Sequence, residues 1–132
     1  MKIVINMTVY FVCSKKNHTQ VTVYDGVKYT VYDDLDIKNK RDRLASFMNN
    51  MNVNDVIVSF NYTLKFLRVI GTRCKYIVLK DMYRDTMKNE TFSRKDMCDK
   101  VGIDIDVYEP RYPKATGVET VTLYEKLYNV MK

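Results

Sequence analysis

The chain of 132 residues has no tryptophan, one histidine, two prolines, four glycines and an odd three cysteines, and its first 24 residues hold no aspartate or glutamate. Each shortage excludes some chemistry. The lone histidine, His18, sits among Lys15, Lys16 and Asn17. It cannot supply a His-rich zinc site, and with no matching Ser/Asp pattern it makes no catalytic relay. It reads as a surface residue. Four glycines leave no Gly-rich phosphate loop and no nucleophile elbow, and nothing in the sequence calls for a cofactor. Cys13, Cys74 and Cys98 show neither C-x-x-C nor Cys/His spacing, so reduced, mostly buried thiols are expected in place of a disulfide framework or a zinc site. No run approaches the ~20 apolar residues of a membrane-crossing helix. The apolar start, MKIVINMTVYFVC, is interrupted by Asn6 and Thr8, and no small-residue cleavage site follows. It reads as a strand and not as a leader. A cytoplasmic location without membrane contact is the expectation.

What is present is the composition of a globular protein. With 46% hydrophobic residues, a chain of this length can bury a core as one domain, residues 1–132, without disulfide or metal staples. The formal net charge of +6 admits a polyanionic partner and is equally consistent with a solubilising surface. Asn, Lys, Ile and Tyr are abundant. That bias suits an AT-rich genome, as in viruses, phages and some bacteria; for a viral source the expected compartment is the host cytoplasm.

Residues 3–12 alternate, with Ile3, Ile5, Met7, Val9 and Phe11 on one face of a strand. A polar turn is expected around Lys15–His18. The runs TQVTVY and VKYTVY, joined by Asp25-Gly26, predict a hairpin with a two-residue turn. Its edge could pair with a second copy of the chain. From about Asp36 the period becomes helical, with Leu44, Phe47, Met48 and Met51 at i, i+3, i+4 and i+7. NDVIVSF (54–60) predicts a strand, NYTLKFLRVIG (61–71) a helix ended by Gly71, and CKYIVLKDM (74–82) another strand. SRKDMCDKVG (93–102) predicts a short helix with Ser93 as N-cap and Gly102 as C-terminal stop. IDIDVYEPRYPKAT (103–116) reads as irregular. Val118, Val121, Tyr124, Tyr128 and Met131 mark one face of a last helix. Three meandering antiparallel strands followed by strand–helix alternation imply an α/β domain. It should have one mixed sheet, antiparallel first and parallel later, flanked by helices.

That order of elements is also the order of the RNase H-like fold. VSFNYTLKFL (58–67) resembles the V-x-H-N-x-x-F-D-x-x-F-L segment of the DEDD 3′–5′ exonucleases, the proofreading-exonuclease and RNase T group. SRKDMCDKVGI (93–103) resembles that family's L-x-x-L-C-x-x-L-G-I helix. RYPKATGVETVTLYEKLY (111–128) resembles its closing H-x-A-x-x-D-A-x-x-T-x-x-L-Y-x-x-L. The resemblance covers residues 58–128 by motif and the earlier strands by order alone.

The resemblance implies a nuclease frame whose four carboxylates would hold two divalent metals. The positions it implies carry other residues: Asn6 and Thr8 for the D-x-E pair, Lys65 for the second-motif acid, Arg111 for the base and Thr116 for the last acid. A lysine repels Mg²⁺, so two-metal hydrolysis is not expected, and no metal site is assigned. Asp33, Asp34, Asp36, Asp104 and Asp106 read as turn and helix-start residues. The expected protein is therefore a catalytically inactive, exonuclease-like domain. Lys65, Arg68, Arg111 and Lys114 would form a cationic groove for single-stranded nucleic acid, with tyrosines as stacking surfaces. The alternatives are a scaffold, decoy or inhibitor acting on a host protein, and a nuclease with a rebuilt metal site.

Overall fold

Alternating apolar residues build one five-stranded sheet that is covered on both faces. The computed structural model describes residues 7–15, 20–33, 42–43, 45–47, 49–60, 75–87, 93–111 and 114–132. The strands are β1 (Val9–Lys15), β2 (Gln20–Tyr24), β3 (Tyr29–Tyr32), β4 (Val56–Ser59) and β5 (Lys75–Val78), arranged β3-β2-β1-β4-β5. β1 pairs antiparallel with β2, as does β2 with β3, while β4 pairs parallel with both β1 and β5. The sheet is thus mixed, with β1 at the junction of its antiparallel and parallel halves. This is the α/β architecture expected from the sequence.

Successive side chains on a strand point to opposite faces, and here both sets are apolar. Phe11, Cys13, Val56 and Val58 face four helices: α1 (Leu79–Met87), α2 (Arg94–Lys100), α3 (Ile105–Tyr108) and α4 (Gly117–Met131). Val12, Val21, Val23 and Ile57 face the other way, with Tyr32, Met51 and Phe47. Phe47 belongs to helical residues between β3 and β4, and its ring lies edge-on to Tyr10 at 5.1 Å. Parallel strands need both faces covered, because their crossover helices lie there. Each fully buried Val or Leu side chain contributes about 1.5–3 kcal/mol, so the two clusters dominate the fold's stability.

Several local expectations are corrected. β1 includes Lys15, which pairs antiparallel with Gln20, so the strand takes the first residue of the expected turn; residues 16–18 of that turn lie outside the described residues. The hairpin loop is four residues long, not two, since Tyr24 lies opposite Tyr29. Asp25 sets that length: its Oδ1 accepts the backbone N–H groups of Val27 (2.9 Å) and Lys28 (2.7 Å). The same two bonds hold its carboxyl below the usual range. Gly26, at φ 95°, takes the left-handed position. The 74–82 run is not all strand. Its period changes at Leu79, and Leu79 and Tyr83, four apart, are both buried on one side of α1. The 103–116 segment is not wholly irregular, because Asp104 caps α3 by accepting the Asp106 N–H.

The capped helix at 93–102 is as expected. Ser93 and Asp96 form a reciprocal capping box at the start of α2. At its end Gly102, at φ 80°, donates to the Asp99 carbonyl and Ile103 to the Cys98 carbonyl, a Schellman pair. On α4 the buried face centres on Thr120, Val121, Leu123, Tyr124 and Leu127, while Val118 is exposed. The expected helix over 61–71, the strand residues 1–6, His18 and Cys74 lie outside the described residues.

Candidate functional site

The start of α4 is the point where the last quarter of the chain meets β1 and β2. Thr116 is its N-cap: the hydroxyl accepts the Glu119 N–H, and the Glu119 carboxylate accepts the Thr116 N–H at 2.9 Å. These bonds hold the Glu119 carboxyl below its usual range. The next residue, Gly117, lies directly on β2. A Cβ there would fall 2.1 Å from the Thr22 hydroxyl oxygen. Only glycine lets the helix approach the strand this closely. The Cys13 thiol donates to the Gly117 carbonyl at 3.5 Å, pinning the same turn to β1.

Around this junction opens a groove of about 450 Å³, lined by residues of β1, β2, β3 and the α4 start. Lys15 and Lys114 are the charged residues of the lining, with Gln20, Thr22 and Thr116 as polar ones and Val31 and Val118 as the apolar wall. Thr22 is only 1% exposed and its hydroxyl has no hydrogen-bond partner among the described residues. Buried hydroxyls almost always have one, which makes this oxygen exceptional.

Beneath the groove is a buried ionic cluster. Glu109 has no solvent exposure. Arg94 donates to its two oxygens at 3.0 and 3.2 Å, Thr120 donates to Oε2 at 2.8 Å, and Lys15 Nζ stands 3.9 Å away. Arg94 also donates to the Tyr124 hydroxyl at 3.1 Å, and its guanidinium lies 4.8 Å from the Phe60 ring centre. Arg94 is the close partner of the carboxylate, and Lys15 is the distant one. Lys15 belongs to both features: its Nζ is within ion-pair distance of Glu109, and its side chain lines the groove. Burial raises the Cys13 thiol to about 11, against the opposing pull of Lys15 and Arg94, so it stays protonated at neutral pH and offers no nucleophile. Burial raises Cys98 to about 11 as well.

The residues expected to mark the site fall in three groups. Thr116 and Lys114 line the groove. Arg111 is exposed, and its carbonyl accepts the Lys114 N–H. Thr8 is elsewhere. It precedes β1, donates to Asp55 at 3.0 Å, and is five residues from Cys13, about 17 Å along an extended strand. The β1 residues beside the start of α4 are Cys13 and Lys15. Asn6, Lys65 and Arg68 lie outside the described residues. The sequence reading did not single out Lys15, Gln20 and Thr22, because only the pairing of β1 with β2 sets them beside α4, and it missed Glu109 inside a segment read as irregular.

Asp104 and Asp106 sit at the α3 start. Among the described residues, no three His, Cys, Asp or Glu side chains converge on a point that could hold a metal ion, and no helix is long and apolar enough to cross a membrane. The chain matches no protein-family model, no curated protein and no solved structure.

Proposed function

We propose that this chain is an RNase H-like, exonuclease-like domain that binds a nucleic-acid backbone without hydrolysing it. The order β3-β2-β1-β4-β5 supports the fold reading, with the meander on one side of β1 and the parallel strands on the other. The observation that carries the binding reading is the groove. Lys15 and Lys114 flank the start of a 15-residue helix, and among the described residues no carboxylate is part of the lining. Phosphates are favoured there for two reasons: fixed cations attract them, and the first N–H groups of a helix carry its positive end. Among the described residues around the groove, Arg94 is set against Glu109, and Lys15, Arg111 and Lys114 stand against Glu119, whose carboxylate accepts the Thr116 N–H.

The non-hydrolytic part rests on the residues at the junction. Cys13, Lys15 and Thr116, beside the start of α4, offer no carboxylate to a hard metal, and a lysine opposes metal loading, which supports the non-hydrolytic reading.

The test is binding of single-stranded oligonucleotides over a salt series. Two neutralised phosphates give a log–log slope of about −1.4, so affinity should fall roughly sevenfold between 50 and 200 mM salt. Combined Lys15→Gln and Lys114→Glu, which sets no second carboxylate beside Glu109, should weaken binding at least about tenfold at low salt. No binding at 50 mM salt would remove the proposal. Cleavage of the oligonucleotide with Mg²⁺ or Mn²⁺ would overturn its non-hydrolytic part. Retention of a protein from native cells after nuclease treatment, with no oligonucleotide binding, would decide for the protein-partner reading.

A further inference from the structure

We infer that Tyr29 is a base-stacking platform next to the groove, and that the ligand is therefore single-stranded, with one unpaired base lying on this ring. The inference rests on the backbone-binding reading of the groove and adds a second contact of different chemistry.

Tyr29 is 36% exposed, although aromatic rings are usually more covered than this. One face of its ring is stacked on Tyr24, with centroids 4.1 Å apart and 14° between planes. Its hydroxyl is bonded to Thr122 of α4 at 2.8 Å. The ring is thus held at its back and at its tip, which fixes its plane before any ligand arrives. A fixed aromatic loses little conformational freedom on binding. The outer side of β3 is the end of the sheet order, so no further strand follows Tyr29 there among the described residues.

Its position relative to the groove is set by the pleat. Tyr29 and Val31 are two residues apart on β3, so both side chains project to the α4 face, about 7 Å from each other along the strand. Val31 lines the groove. On the helix side, Val118 also lines the groove, and Thr122, the partner of Tyr29, is one turn further along and bonds back to the Val118 carbonyl. A continuous surface thus runs from the cations Lys15 and Lys114, past Val31 and Val118, to the Tyr29 ring. The unpartnered Thr22 hydroxyl lies at the groove end of this path. A backbone phosphate at one end and a base at the other fit this order of charge, apolar wall and ring. Bases within a duplex are stacked on their neighbours and cannot present a free face to a single side chain, so the path selects unpaired nucleotides.

The absence of tryptophan provides a direct probe. In Tyr29→Trp the new indole is the sole one in the chain, and a stacked base should quench its fluorescence. Single-stranded DNA or RNA is expected to quench it, while a duplex of equal charge and an abasic oligonucleotide are not. Tyr29→Ala should weaken single-strand binding about tenfold, and Tyr29→Phe, which keeps the ring and loses only the Thr122 bond, should remain within about threefold of the parent. Unquenched indole fluorescence in Tyr29→Trp, with intact salt-dependent binding, would overturn the platform and leave the groove reading standing. Equal losses for Tyr29→Ala and Tyr29→Phe would also overturn it, since the hydroxyl bond and not the ring would then be responsible. Loss of all oligonucleotide binding in the parent chain would overturn both.

Discussion

Glu109→Leu is expected to destabilise the fold by about 3–5 kcal/mol, the range for breaking a buried ion pair from one side. For a chain of this length that corresponds to a fall in Tm of roughly 10–18 °C. The size follows from what the carboxylate holds. Its oxygens take two bonds from Arg94 and one from Thr120, all within 3.2 Å, in a site with no solvent exposure. Leucine fills similar space yet leaves a guanidinium and a hydroxyl without their acceptor. The Arg94 side chain is itself only 14% exposed, so water replaces the lost carboxylate poorly. The pair Glu109→Leu with Arg94→Met removes both charges and should recover most of the loss. Urea unfolding of the two single variants and the double variant measures the coupling. A Glu109→Leu protein within about 1 kcal/mol of the parent would show that the cluster does not hold the fold. The sequence neighbours of Glu109 give no hint of this role, because its partners come from α2 and α4.

Gly117→Ala should be the second most damaging change, by about 1–3 kcal/mol, and it should act through one contact. The new Cβ would stand 2.1 Å from Thr22 Oγ1 and 2.9 Å from Thr22 Cβ. Neither atom can yield by rotation alone, because both belong to a short side chain on a paired strand. Either α4 lifts from the sheet or β2 bends. Alanine is otherwise a better helix former than glycine by about 1 kcal/mol, so the observed loss will understate the clash. Thr22→Ala in the same chain removes the nearer atom and should restore part of the stability, giving a coupling of at least about 1 kcal/mol in a double-mutant cycle. A neutral Gly117→Ala would contradict the close approach. Lifting α4 would also deform the groove, so oligonucleotide affinity should fall with stability in this variant.

The sheet was largely legible in the sequence, because its signals are local. Strict alternation marked β1, Asp25-Gly26 marked the hairpin, and Ser93 with Asp96 and Gly102 marked α2. The errors arose where a tertiary partner overrides a local cue. Lys15 looked like the start of a turn until Gln20 paired with it. Leu79 looked like the end of a strand until its helical neighbours were buried against α4. Val118 matched the helical stripe by spacing, but the close seat of Gly117 turns α4 so that Val118 faces the groove. The site was less legible than the fold. Thr116 and Lys114 could be identified from the closing segment, since both adjoin the helix start. Lys15, Thr22 and Tyr29 could not, since only the sheet register brings them to that helix.

The Cys13–Gly117 bond spans 104 residues of sequence. The groove it helps to form therefore has one wall from the first quarter of the chain and the other from the last, and neither wall exists as a site by itself. A hairpin that forms early, or an α4 that frays, leaves the cations in place but far apart. Occupancy of the groove is thus linked to the folding of the whole chain. A ligand there can add stability only to the complete native state, by about 2.7 kcal/mol when present at about 100 times its dissociation constant. The ligand would act as a clasp between the early strands and α4, and its effect would be seen in global unfolding more than in any local opening.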